Sequence, residues 1–359
     1  MLMKNIVLVN TEENWGGGEH WFYEVAVALQ KDPRIAVWVM THPEGRLSAR
    51  LREANVGTVP CSVSLADLLN PSKQKKWRTF FESHHIECIL FNTPTEAKVL
   101  GAAAYKAGVR RRILRRGSAL PVRDSLPNKW LLKKYITHLL TNSYWTARLL
   151  QEESSCVAGL PVKVIHNGVP KARLWQSPTY REQPPLKIGS VGRLSPEKGH
   201  KDLLELAEYL IQDGMEVEVH IAGDGAERPE LERLIRQKHL QQKVFLHGFV
   251  TQPVLFMQEI DVLVHTARWE GFGFVLVEAM AQGRPVIAYD AGSTGEIVEH
   301  GKTGFIVPMG EVEQLAEAVR MLRSPARRHM MGIAAIERVR QCFLWENKLE
   351  EILHYLLFE

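Results

Sequence analysis

Two glutamates separated by seven residues, Glu270 and Glu278, stand in R-W-E-G-F-G-F-V-L-V-E-A-M-A, residues 268–281. The run after Gly273 predicts a helix starting there, and a helix start offers unpaired N–H groups and the positive end of a dipole. Gly271, Phe272, Gly273, Phe274, Val275 and Leu276 line the approach to that start, Glu270 lies in the loop before it, and Glu278 lies just over one turn inside it. A carboxylate within the helix can accept both hydroxyls of a ribose. One in the loop can hold sugar hydroxyls or stabilise positive charge at a reacting sugar carbon. A plain surface role for Glu278 sits poorly with its apolar neighbours Leu276, Val277, Ala279 and Met280.

A second constellation is V-G-R-L-S-P-E-K-G, residues 191–199, where Arg193 and Lys198 follow an apolar run that reads as a buried strand. Ligands of open α/β sheets bind beyond the carboxyl ends of the strands. There the guanidinium fork and the ammonium point charge suit a diphosphate. A solvated loop whose charges do nothing is the plainer reading of these residues alone. A third is W-G-G-G-E-H, residues 15–20, between the first apolar run and the first helical pattern. Gly16, Gly17 and Gly18 let the backbone approach a phosphate at a helix start, and a tight turn needing glycine explains them equally well. The spacing is not that of the dinucleotide fingerprint, and Thr41 and His42, not an acidic residue, follow the second apolar run.

The elements that must position these groups alternate in type. Ile6–Val9, Ala36–Met40, Cys88–Phe91, Arg112–Leu114 and Leu139–Asn142 read as short strands among helical stretches. A second alternating series starts at Leu186, with helices over 200–213, 227–239 and 274–282, and closes with the strand in GFIVPM. Such alternation predicts βαβ units and parallel sheets. The polar, proline-bearing stretch 171–185 reads as an interdomain linker. The chain of 359 residues is long enough for two domains, and 45% hydrophobic with 24% charged residues is the balance of a globular protein. The apolar runs are too short to span a bilayer, and the amino-terminal one is too short for a signal peptide. Four scattered cysteines (Cys61, Cys88, Cys156, Cys342) argue for reduced thiols and a cytoplasmic protein.

The net charge of +4 is small, but basic residues crowd residues 106–134, opposed only by Asp124. Arg115, Arg116, Arg123, Trp130, Lys133 and Lys134 are the residues read there as an acceptor or membrane face. The mixture in NKWLLKKY is that of an interfacial helix beside an anionic bilayer, and a solvated basic face is the alternative. A nucleic-acid partner is not expected, because aromatic residues do not interleave the charges regularly.

Taken together, these motifs resemble the retaining glycosyltransferases of family four, whose signature E-x7-E is matched by Glu270 and Glu278 and whose phosphate-binding pair is matched by Arg193 and Lys198. VIHNGV (164–169), IAGDG (221–225) and GRPVIAYDAGSTGEIVEHGKTGFIV (283–307) are further phrases typical of that family. The resemblance is strong over 186–345 and thin over 20–140. It implies a GT-B fold, α/β, with two Rossmann-like doubly wound parallel-sheet domains facing a cleft. An acceptor-binding domain would span 1–170 and a nucleotide-sugar-binding domain 186–344, with helix 345–359 crossing back to the first.

The implied activity is transfer of a sugar from a nucleoside-diphosphate sugar, a UDP-sugar first and a GDP-sugar second, to a saccharide or lipid-linked acceptor. Bacterial-type cell-surface glycan or lipopolysaccharide synthesis is the implied setting, on the inner face of the membrane. Glu270 would orient the donor sugar and carry the catalytic role, and Glu278 would hold the ribose. Gly16–Gly18 would reach the β-phosphate on domain closure. Neither a cofactor nor a metal is implied, and there is no D-x-D pair. Where many relatives carry a histidine in the first domain, this chain has Arg115, Arg116, Gly117 and Ser118, so no catalytic histidine is assigned. A nucleotide-sugar epimerase and a silent binding subunit remain as rival readings.

Overall fold

The computed structural model describes residues 3–118, 120–175 and 178–358, which fall into two compact units: residues up to 165 with 349 onward, and residues 166–348. In the first, the elements are β1 (Lys4–Asn10), α1 (Gly17–Lys31), β2 (Ile35–Thr41), α2 (Arg46–Glu53), β3 (Thr58–Pro60), α3 (Pro71–Ser83) and β4 (Cys88–Phe91). They continue as α4 (Pro94–Lys106), β5 (Arg111–Arg116), α5 (Leu126–Tyr135), β6 (His138–Thr141), α6 (Tyr144–Glu153) and β7 (Val162–Val164). The seven strands form one parallel sheet in the order β3-β2-β1-β4-β5-β6-β7. Val7, Leu8 and Val9 of β1 are fully buried, as expected of a parallel strand covered by helices on both faces.

The second unit contains β8 (Leu186–Val191), α7 (Lys201–Gln212), β9 (Val217–Ala222), α8 (Arg228–Gln237), β10 (Val244–Gly248), α9 (Pro253–Glu259) and β11 (Val262–His265). After these come α10 (Phe274–Ala281), β12 (Val286–Tyr289), α11 (Thr294–Ile297), β13 (Gly304–Val307), α12 (Val312–Met321) and α13 (Pro325–Cys342). Its six parallel strands run β10-β9-β8-β11-β12-β13. The order reverses between β8 and β11, whose register is set by Val262 opposite Ile188 and Leu263 opposite Gly189. Loops on either side of such a reversal diverge and leave a crevice. The last helix, α14 (Trp345–Phe358), contributes its residues from Leu349 onward to the first unit. There Arg111 donates to the carbonyls of Tyr355 (2.5 Å) and Leu356 (3.1 Å) and lies over the Tyr355 ring.

The stretch 171–185 differs from the expected linker. Its described residues pack on the second unit as a strap. Leu174 is buried, the Trp175 N–H donates to the Ala281 carbonyl at 2.9 Å, and the Tyr180 hydroxyl donates to the Gly283 carbonyl at 2.8 Å. The buried Arg284 donates to Thr179, Met257 and Gln258 carbonyls and lies over the rings of Trp175 and Tyr180. Prolines and charges mark irregular backbone, but irregular backbone can be held by a guanidinium with five donors.

The basic stretch is also divided. Arg111, Arg112 and Arg115 turn inward, Arg112 donating to the Tyr135 and Val109 carbonyls. Arg123, Trp130, Lys133 and Lys134 are exposed, Trp130 by 59%, with the Lys134 ammonium 4.5 Å from the Trp130 ring. Arg115 therefore belongs to the interior and not to the exposed face. Arg116, next along the strand, points to the opposite side of the sheet, where it reaches the Leu120 carbonyl at 2.9 Å.

Candidate active site at the β8/β11 reversal

β8 runs into Gly192, and the following turn carries Arg193 and Lys198. Arg193 is 73% exposed and lies 3.7 Å from Glu197, which is itself fixed by the Ser195 hydroxyl at 2.6 Å. Lys198 turns inward, and its Nζ reaches Glu270 Oε2 at 2.7 Å. The two loops meet because β8 and β11 are neighbours. The Thr266 hydroxyl donates to the Lys198 carbonyl at 3.0 Å, and the Arg268 N–H donates to the Glu197 carbonyl at 2.8 Å. Gly199, at φ +64°, is where the loops touch, and a Cβ there would stand 2.3 Å from the Thr266 oxygen.

Glu270 is gripped from three sides. His265 Nε2 lies 3.2 Å from Oε2, on the same oxygen as Lys198. The Glu270 carbonyl accepts from the Ser293 N–H (3.1 Å) and hydroxyl (3.3 Å), and Gly292, at φ +65°, leaves room for it. Burial pushes the Glu270 carboxyl up. The hydrogen bond and charge of His265, with Lys198 behind them, outweigh burial and hold it at about 2, so it is a carboxylate at any ordinary pH. Near His265, the buried His200 has an Nδ1 without a partner among the described residues, and burial foremost keeps its imidazole at about 4.

Gly273, at φ +81°, caps α10 in the left-handed region. Glu278 lies on α10 with Arg173 Nη1 3.6 Å from its Oε1. Burial pushes its carboxyl up to about 7, and the charge of Arg173 only partly opposes this. Phe272 and Leu276 are core residues packed with Met280 and Phe343, so only their backbone can meet a ligand, while Phe274 and Val275 are half-buried. Arg193, Lys198, Glu270 and Glu278 thus all belong to the second unit. Gly16–Gly18 belong to the first, where Gly16 caps α1 in an extended conformation and Gly17 and Gly18 begin it.

Sequence reasoning missed His265, Ser293 and Arg173. His265 ends a buried strand five residues before Glu270, a position that places its ring at the same edge. Arg173 was hidden in the presumed linker, and Ser293 comes from the next strand's loop, which only the sheet order brings close.

This arrangement, two parallel Rossmann-like sheets with a basic and acidic cluster at the reversal point of the second, is the GT-B glycosyltransferase fold. Crystallised Anabaena HepE in complex with UDP superposes with a TM-score of 0.83 at 22% identity over 99% of both chains. Residues 175–338, most of the second unit, match the family described as Glycosyl transferases group 1. Among curated proteins, the alpha-D-kanosaminyltransferase of Streptomyces kanamyceticus is 35% identical over 145 residues, which is 40% of this chain and 38% of that one. The poly(ribitol-phosphate) alpha-N-acetylglucosaminyltransferase of Staphylococcus aureus is 27% identical over 169 residues, 46% of this chain and 34% of that one. The match therefore spans under two fifths of either relative.

Proposed function

We propose that the chain is a retaining glycosyltransferase of family four that moves a sugar from a nucleoside-diphosphate sugar to an acceptor hydroxyl in cell-surface glycan or lipopolysaccharide synthesis. The observation that carries this is the Lys198–Glu270–His265 cluster at the β8/β11 reversal, beside the start of α10. The E-x7-E pair then has distinct duties. Glu270, ionised and fixed, faces the donor sugar and stabilises positive charge developing at its anomeric carbon. Glu278 takes the ribose hydroxyls.

In the transfer, the acceptor oxygen bonds to the anomeric carbon on the face from which the diphosphate leaves. The bond from that carbon to the phosphate oxygen breaks, and a leaving phosphate oxygen accepts the acceptor's proton. Arg193, Lys198 and the N–H groups opening α10 stabilise the departing charge, which makes a divalent metal unnecessary in this reading. UDP is the first expected nucleotide and GDP the second; HepE was crystallised with UDP, and that is support by likeness of fold.

No helix among the described residues is long and apolar enough to cross a membrane. Contact with a bilayer is assigned to the exposed end of α5, where Leu126, Trp130, Lys133 and Lys134 combine apolar bulk with positive charge. The anionic polymer in the name of the Staphylococcus aureus relative is consistent with a phosphate-bearing acceptor for a basic surface.

A thermal-shift panel with UDP, GDP, ADP and NAD in the presence of EDTA tests the reading, since a ligand that binds only the folded chain raises its melting temperature. Stabilisation by UDP or GDP is expected. Stabilisation by NAD alone, or by none of the four, defeats it.

A further inference from the structure

In the first unit, α4 begins with a capping box. Thr93 Oγ1 accepts the Glu96 N–H at 3.3 Å, and Glu96 Oε2 accepts the Thr93 N–H at 2.8 Å in return. Such a cap needs one carboxylate oxygen, and an exposed side chain serves for it. Here Glu96 is 1% exposed and both oxygens are engaged. Oε2 also accepts the Asn92 N–H at 2.9 Å. Oε1 accepts the N–H (2.6 Å) and the hydroxyl (2.9 Å) of Thr11, 85 positions away.

Burying a carboxylate without a cation beside it is costly. Burial pushes the Glu96 carboxyl up to about 7, and the groups that oppose this are hydrogen-bond donors: Thr11, Thr93 and Asn92. A glutamine supplies the same helix cap without an ionisable group in the interior, so the cap alone does not account for the acid. What Oε1 adds is a tie between the residues that follow β1 and β4, the two strands at which the first sheet reverses order.

Both tied residues lead to the glycine loop. Asn10, beside Thr11, donates Nδ2 to Glu19 Oε1 at 3.1 Å and accepts the Glu12 N–H on Oδ1 at 3.2 Å. Asn92 donates Nδ2 to the same Glu19 oxygen at 3.4 Å. Gly16 and Gly18 rest on these side chains. A Cβ on Gly16 would stand 3.1 Å from Glu19 Oε2, and one on Gly18 would stand 3.4 Å from Asn92 Oδ1. Residues 12–17 are exposed except for the half-buried Trp15. On the outside, Arg50 lies over the Trp15 ring at 4.0 Å and the Arg46 N–H donates to the Glu13 carbonyl at 3.2 Å. The interior contacts of the span run to Glu96, directly at Thr11 and through Asn92 and Glu19 at the start of α1.

We propose that Glu96 is a positioning residue for the glycine loop: its buried carboxylate fixes Thr11 and Asn92 to one another and so sets where Gly16–Gly18 present their N–H groups. The consequence for binding rests on the transferase reading, in which that loop approaches the donor diphosphate. The tie itself belongs to the first unit alone.

The test is hydrogen–deuterium exchange on the full chain without nucleotide, in the parent and in two variants. Glu96→Gln keeps the shape and the helix cap but turns an amide NH2 toward N–H donors. Thr11→Val removes only the hydroxyl bond. Exchange over 11–20 should quicken by about tenfold in the first and about threefold in the second, while exchange over 97–106 in α4 stays within about twofold of the parent. Melting curves confirm that both variants fold. UDP affinity should fall by about threefold or more in Glu96→Gln. Unchanged exchange over 11–20 in both variants, equal quickening across 97–106, or unchanged UDP affinity in Glu96→Gln overturns the proposal. Failure of the donor reading shows separately, as no melting shift of the parent with UDP, and the nucleotide-free comparison still decides the tie.

Discussion

Lys198 and Glu270, seventy-two positions apart in the chain, meet at 2.7 Å at the edge of the second sheet. Under the proposed function the contact gives one cation two tasks. Arg193, mostly exposed, is free to swing toward a diphosphate, while Lys198 can reach a phosphate only from a position shared with Glu270. An ammonium has three donors, so one proton can stay on the carboxylate while others engage a ligand. Under the proposed function, Lys198 would then join leaving-group charge to the carboxylate facing the sugar.

A double-mutant cycle on Lys198→Met and Glu270→Gln measures that link. Both side chains are about a fifth exposed, so a coupling of about 1–3 kcal/mol in denaturant unfolding is expected, well above the value for an open surface pair. The depressed Glu270 value gives the pH behaviour. Its contribution is complete above the unfolded value of 4.5 and is lost as pH falls through about 2. The coupling should therefore persist at pH 5 and vanish near pH 2. Additivity of the two changes at pH 7 would show that the contact contributes nothing.

Much of this site was legible in the sequence because its chemistry is local. Strand, glycine turn and helix start are contiguous in 262–281, and the spacing of Glu270 and Glu278 put one in the loop and the other in the helix. Partners supplied by other strands were not legible. Ser293 and Arg173 reach the two glutamates through sheet order and through a strap that composition alone presents as a linker. The basic stretch failed for a different reason. Arginines in adjacent strand positions face opposite sides, so the basic stretch became an interior group at Arg115, a carbonyl clamp at Arg111 and an exposed face from Arg123 into α5.

That exposed face makes its own prediction. If α5 docks on an anionic surface, the chain should co-sediment with vesicles containing phosphatidylglycerol far more than with phosphatidylcholine alone. Binding should weaken with salt, since exposed charges are screened. Trp130→Ala and a Lys133→Ala/Lys134→Ala pair should each reduce binding about fivefold or more, each lysine being worth about 1 kcal/mol near such a surface, with melting temperatures near that of the parent. Equal sedimentation with both vesicle types, or loss of neither variant's binding, would remove the membrane from the account.

Glu278 separates the structural cost of the site from its use. Its carboxyl is held near 7 by burial, against an unfolded value of 4.5. Between those values the unfolded chain ionises while the folded chain keeps the proton, so stability declines as pH rises through the window and the loss is complete above 7. A gap of that size corresponds to about 3 kcal/mol. Glu278→Gln keeps the shape and removes the ionisation. The variant should match the parent near pH 4.5 and exceed it increasingly toward pH 8, by up to about that amount. Glu96, buried and also near 7, gives the parent a similar slope, so the difference between variant and parent is the quantity to read. The same substitution should weaken nucleotide binding by about tenfold, because a neutral amide accepts ribose hydroxyls less strongly than a carboxylate. A variant that gains stability at pH 8 and binds UDP as tightly as the parent would leave Glu278 a buried acid with no part in holding the donor.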